Sequence, residues 1–187
     1  SLVPATLKVT WGYSQANINR RAIGSDGKAS LGMNPDGPVD RRIGILKIDN
    51  EKGDAIAIIA NYPIHGTVMG GQSQVISGDA PGVVAEYVEE KTGAPLLFIN
   101  GAAGNLAPIY SVYPSPQAGH LYEFKVLLGD KIVAACEQLT HSTGNVTLKT
   151  DKLIVETRQH PELELPGDMH GYARTTVSGE KLIKLPV

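Results

Sequence analysis

The chain reads as an α/β protein with a mixed β-sheet covered by helices, part of a larger domain. Three observations predict this. Two apolar runs, "RIGILKID" and "DAIAIIANY", are separated only by "NEKG", the pattern of a β-hairpin. A helical segment, "GDAPGVVAEYVEEKTG", is followed at once by another apolar strand, "APLLFIN". A second helical stripe over 119–140 then returns to strand-like sequence. A hairpin beside a strand–helix–strand unit requires a sheet with both antiparallel and parallel pairs.

The elements follow in order. "TLKVTWG" reads as a short strand with Leu7 and Val9 on one face. Residues 24–38, rich in Gly, Asp, Asn and Pro, read as a loop. Residues 55–60 are apolar at every position, which predicts a central strand covered on both faces. In the first helix Asp79 suits the N-cap, Pro81 the first turn and Gly93 the C-terminal cap, with Val84, Tyr87 and Val88 on one face. In the second, Phe124, Leu128, Ile132, Ala135 and Leu139 form the stripe. "NVTLKTDKLIVET" alternates at Leu148, Leu153 and Val155 like a strand, 158–180 has no clear period, and "KLIKLPV" looks like a strand just begun.

Composition bounds the function. The 187 residues suffice for one domain with a substantial core, and 42% hydrophobic against 19% charged residues describes a globular chain. Residues 1–187 are expected to form a single, incomplete domain, a fragment of a longer chain, because neither end looks like a natural terminus. Net charge is −2 with no basic stripe, so nucleic acid is not an expected partner. No apolar run approaches the roughly 18 residues of a membrane span. Cys136 is the only cysteine and excludes an internal disulfide.

Three stretches carry chemistry. In "IIANYPIHGTVMGG", His65 follows an apolar strand and precedes a Gly-rich loop. A strand end fixes an imidazole firmly enough for a metal ligand, although a core histidine satisfied by backbone fits the same sequence. In "FINGAAGNLAP", small residues follow a strand, which places backbone N–H groups at a sheet mouth where an oxyanion can be held. Asn100, Gly101, Gly104 and Asn105 are the candidates there, against the alternative of a simple tight turn. No G-K-[ST] or G-x-S-x-G pattern is present. In "NINRR", Arg20 suits a clamp for a polar substrate group, against a solvated surface arginine. His120, His141, His160 and His170 are scattered.

In this order, "LVPATLKVTWG", "NINRR", "VDRRIGILKID", "NYPIHGTVM", "VISGDAPGVVAEYVE" and "LLFINGAAGNLAP" resemble the neutral ceramidase family over about residues 2–140. Those enzymes are zinc-dependent amidases that cleave N-acyl sphingosines, with I-N-R-S, V-H-x-T-S-M, I-S-G-D-N-K-G and G-D-V-S-P-N segments in the same sequence. The resemblance implies that His65 is a zinc ligand and that Arg20 lies near the substrate carbonyl or head group. It implies that the other zinc ligands lie outside residues 1–187. It also implies a secreted or periplasmic setting in sphingolipid or other lipid metabolism, with a cytoplasmic one left open, and partners in the remainder of the same polypeptide or other chains.

One departure changes the chemistry. Ala107 stands at the family's nucleophilic serine, and Asn105 at its aspartate. Alanine has no lone pair, so an acyl-enzyme at that position is excluded. The expected activity is hydrolysis of an amide, in an N-acyl lipid or a small molecule, by zinc-activated water. Arg20 would anchor the substrate, with Asn105 beside the reacting carbonyl and Asn100, Gly101 and Gly104 lining the site. The alternative is a non-catalytic relative that binds a ligand or partner at a degenerate site.

Overall fold

The computed structural model describes residues 2–71, 73–112, 118–141, 145–147, 149–160, 162, 164–165 and 167–186. They fall into two compact units, residues 1–146 and 147–187. The strands of the first unit are β1 (Ala5–Tyr13), β2 (Asn17–Ile23), β3 (Ala29–Asn34), β4 (Arg42–Asn50), β5 (Ala55–Tyr62), β6 (Leu96–Asn100) and β7 (Leu106–Pro108). Its helices are α1 (Asp79–Thr92), the single turn α2 (Ile109–Val112) and α3 (Asp130–Glu137).

The main sheet has the order β1-β4-β5-β6. β1, β4 and β5 pair antiparallel, whereas β6 runs parallel to β5. The sheet is mixed, as the hairpin followed by a strand–helix–strand unit requires. Ile43, Ile45, Ile58, Ala60 and Tyr62 point from one face into the core, against Val84 and Val88 of α1 and Phe124, Leu128 and Ile132 of the second helical segment. The αL backbone of Gly93 ends α1, its N–H donating to the Glu89 carbonyl.

Several expectations are corrected. β5 is central, but it is not covered on both faces. Its second face continues an open apolar surface that includes Val9, Trp11, Leu97 and Ile99, with Trp11 66% exposed. β6 likewise buries Leu96 and exposes its neighbour. The expected loop over 24–38 contains β3, which pairs antiparallel with β2 across a turn where Gly27 has φ 75°. Its apolar residues Leu31 and Met33 are exposed, so no buried face marked it as a strand. The segment 106–108, read as part of a turn, is β7, which joins β2 in a sheet of order β3-β2-β7.

The second helix is not a uniform α-helix. It starts as a 3-10 segment over Ala118–Glu123, widens to a π segment over Lys125–Gly129 and finishes as α3. Its buried stripe is Leu121, Phe124, Leu128, Ile132 and Cys136, so Cys136 takes the place expected for Ala135 and Leu139. Gly129 lets this helix approach α1: a Cβ there would lie 2.6 Å from the Tyr87 ring.

The second unit is a three-stranded antiparallel sheet of order β8-β10-β9, with β8 at Ile154–Arg158, β9 at Ala173–Thr175 and β10 at Lys181–Pro186. The Arg174 guanidinium donates to both Glu156 carboxylate oxygens across it. The expected strand over "NVTLKTDKLIVET" is confined to its last residues, and Leu148 lies outside the described residues. No helix among the described residues is long and apolar enough to cross a membrane.

Candidate functional site

The site is built from two strand ends that touch. β5 ends at Tyr62, whose buried hydroxyl donates to the Ser14 carbonyl at 3.1 Å and whose pKa is pushed up to about 12 by burial. The chain then runs through Pro63 and fully buried Ile64 to His65. The Asn17 side chain donates to the Pro63 carbonyl at 2.7 Å and fixes the exit of the strand. Beside it, β6 ends at Asn100, whose side-chain oxygen accepts the Ile64 N–H at 3.0 Å. The Gly101 N–H donates to the Tyr62 carbonyl at 3.2 Å. A Cβ on Gly101 would sit 3.0 Å from the Pro63 backbone nitrogen, so any larger residue would have to push the strand exit aside by a few tenths of an ångström.

His65 therefore leaves the sheet against the turn that begins at Asn100. The imidazole is partly exposed, while its Nδ1 is buried and has no hydrogen-bond partner. A core histidine satisfied by backbone would have one. The following loop is held by Asp79, which is 6% exposed. Its carboxylate accepts the N–H groups of Val68 at 3.0 Å, Met69 at 2.8 Å and Ala80 at 2.7 Å. The expectation that Asp79 caps α1 is thus met only in part: Gly78 holds the cap position, and two of the three bonds tie the His65 loop to the helix. Sequence spacing gives no hint of this contact, because it crosses a loop.

The far end of the turn is gripped from β2. The Arg20 N–H donates to the Asn105 carbonyl at 2.8 Å, and its guanidinium donates to the Gly104 carbonyl, 3.1 Å from Nη2. Arg21, not singled out in the sequence, donates to the same oxygen at 3.1 Å. The Asn105 side chain donates to the Pro38 carbonyl and lines an open cleft of about 440 Å³ with Pro38, Val39, Asp40, Arg42, Ala102 and Leu106. Within it the Arg42 guanidinium holds Asp40 down at a pKa of about 2.

The turn over 100–105 is thus the element shared by all the predicted site residues: Asn100 and Gly101 join it to the His65 strand, and Gly104 and Asn105 join it to Arg20. The Gly101 N–H and the Asn100 side-chain oxygen are engaged within the fold, where they position the turn. Ala107 lies on β7 opposite Ile18 and is 1% exposed.

Among the described residues no group of three or more His, Cys, Asp or Glu side chains could hold a metal ion. The orphaned Nδ1 of His65 fits a single ligand arm, and a tetrahedral zinc site needs three more partners. Of the other histidines, His120 stacks on Tyr110 with ring centroids 4.4 Å apart, and its Nδ1 lies 2.9 Å from Glu123. His170 bonds the Leu165 carbonyl, and His141 Nδ1 lies 3.0 Å from the Thr140 hydroxyl.

Comparison with solved structures finds a similar fold elsewhere. A ceramidase described as complexed with C2 superposes with a TM-score of 0.61 at 20% identity, over 83% of this chain and 25% of that one. The neutral ceramidase of Pseudomonas aeruginosa gives 0.59 at 18% identity with the same coverage. The chain has a partial ceramidase-like fold. It spans about a quarter of the length of these ceramidases. No protein-family model and no curated protein sequence matches it. At this identity the likeness is one of fold alone.

Proposed function

We propose that the ceramidase-like fold supports a hydrolase acting on an amide of a lipid or a related small molecule. The observation that carries this reading is the position of His65: a rigid strand end against a glycine turn, with a buried ring nitrogen left without a partner. His65 would supply one ligand to a zinc ion, and the remaining ligands would come from outside the described residues. Zinc bound there would supply Lewis acidity, polarising a carbonyl and acidifying water at neutral pH.

The chain's own residues have separate tasks. Arg20 orients the substrate's polar group beside the turn. In this reading the backbone amides beyond Gly101 would meet charge developing on a carbonyl oxygen. Asn105 forms the wall between the turn and the open cleft. Ala107 takes no part, because it has neither a nucleophile nor access to solvent.

A second reading, a binding protein without turnover, is favoured by that same buried Ala107. The deciding experiment uses the intact protein, its metal content and a panel of N-acyl amides. Bound zinc and turnover that a chelator abolishes and zinc restores support the hydrolase. Ligand binding with neither zinc nor turnover establishes the second reading.

A further inference from the structure

The guanidinium groups of Arg20 and Arg21 meet at one atom. Arg20 donates to the Gly104 carbonyl oxygen from Nη2 at 3.1 Å and from Nε at 3.4 Å, and Arg21 donates to it from Nη2 at 3.1 Å. Neighbouring residues on a strand normally face opposite sides. Here the pairing of β2 with β3 shifts register between Asn19 and Arg21, and both side chains reach the same turn. Arg20 is also pinned through its main chain to Asn105, so the pair stands on a strand rather than on a free loop.

Among the described residues the two cations have no carboxylate counter-charge, which they share with Arg41 but not with the other arginines. Arg42 pairs with Asp40, Arg158 with Glu180 and Arg174 with Glu156. Among the described residues, neither Arg20 nor Arg21 forms an ion pair with any carboxylate. Two like charges converging on a single carbonyl dipole repel one another, and an anion between or beside them relieves that repulsion. Each guanidinium carries five N–H donors, and the bonds to Gly104 use only part of that fork. The unused edges match the paired oxygens of a carboxylate or phosphate.

We propose that Arg20 and Arg21 form an anion subsite beside the 100–105 turn that takes a carboxylate or phosphate group carried by the substrate. The inference deepens the hydrolase reading and rests on it only for the word substrate: the favoured amides are those with an acidic head group rather than a neutral one.

The test uses the intact protein and two readouts. In calorimetric titrations, octanoate and octyl phosphate are compared with neutral octanamide; the two anions distinguish carboxylate from phosphate. At least one anion binds ten times more tightly or better, and added salt erodes the advantage. Arg21→Ser lowers the anion preference at least fivefold, and Arg21→Lys, which keeps the charge but loses the fork, retains part of it. Arg158→Ser, which removes an arginine from the second unit, leaves the preference intact. In turnover, N-octanoylglycine is preferred to N-octanoylethanolamine, and Arg21→Ser shrinks that ratio. Equal binding of all three probes, or a preference that survives Arg21→Ser, overturns the subsite whatever the turnover. Anion binding with hydrolysis of neither amide instead sinks the hydrolase reading and leaves the subsite standing.

Discussion

The Asp79 carboxylate accepts the Met69 N–H at 2.8 Å, ten residues back across the loop that follows His65. Asp79 is also the only described non-glycine residue with positive φ, at 53°. A buried carboxylate in a left-handed backbone conformation, bonded to loop and helix together, joins local strain to the placement of the imidazole.

These two contributions separate by substitution. Asp79→Gly removes the carboxylate but relieves the backbone, whereas Asp79→Ala removes the carboxylate and keeps the strain. The lost bonds leave buried N–H groups unpaired and cost about 2–3 kcal/mol in both variants. Alanine costs roughly 1 kcal/mol more than glycine. Denaturant unfolding of the pair measures the difference. Equal stabilities would show that the backbone conformation stores no strain.

Gly101 holds the turn against the strand exit. In Gly101→Ala the new methyl meets main-chain atoms of Pro63 at 3.0–3.2 Å, and backbone cannot rotate away as a side chain can. We expect a loss of roughly 1–3 kcal/mol, together with displacement of the His65 segment. The amide resonances of Ile64 and His65 should shift while those of β1 stay in place. Unperturbed resonances at 64 and 65 would mean that the turn and the strand exit are not mechanically linked.

How much of this was legible depends on whether a residue's partners are near in sequence. The β4–β5 hairpin was readable because its turn is four residues long and both runs are apolar. The strand and helix around α1 were readable because Gly93 and the apolar period mark them locally. β3 and β7 were not, since each is fixed by pairing with β2: β3 alternates Ala29, Leu31 and Met33 inside a Gly-, Asp- and Pro-rich stretch that reads as loop, and β7 is only three residues long. The second face of β5 misled, because an apolar sequence reports that a residue could be buried and not that something covers it. At the site, His65 and Arg20 stood out by residue type. The roles of Asp79 and Arg21 did not, since a carboxylate reaching back to 68 and 69 and a guanidinium reaching forward to 104 exist only once the loops are closed.

Asp49 offers a test by pH. Its carboxylate is 1% exposed, with the Lys8 ammonium 2.8 Å from one oxygen and the Lys47 ammonium 3.1 Å from the other. Burial pushes its pKa up, but the two lysines together outweigh burial and hold it below the usual value of 3.8. A depressed carboxylate stabilises the fold above its unfolded pKa, and that contribution is lost as pH falls through the folded value. Stability should therefore decline on acidification below about pH 4, and Asp49→Asn should flatten this decline while destabilising the protein at pH 7. Parallel pH profiles for the two proteins would remove Asp49 from the account.

The last prediction concerns Ala107, which the resemblance to ceramidases sets at a nucleophilic serine. On residue type alone, Ala107→Ser would supply a hydroxyl nucleophile there. However, β7 pairs residue 107 with Ile18, and the site is 1% exposed, so the new hydroxyl points into a packed layer rather than at a substrate. Burying a hydroxyl with no partner costs roughly 1–3 kcal/mol. The variant should be less stable by about that amount and should gain no covalent labelling by a fluorophosphonate probe and no burst of product. Labelling of the Ala107→Ser variant at the introduced hydroxyl would show that this strand opens to solvent, and would return acyl-enzyme chemistry to the turn beside Arg20.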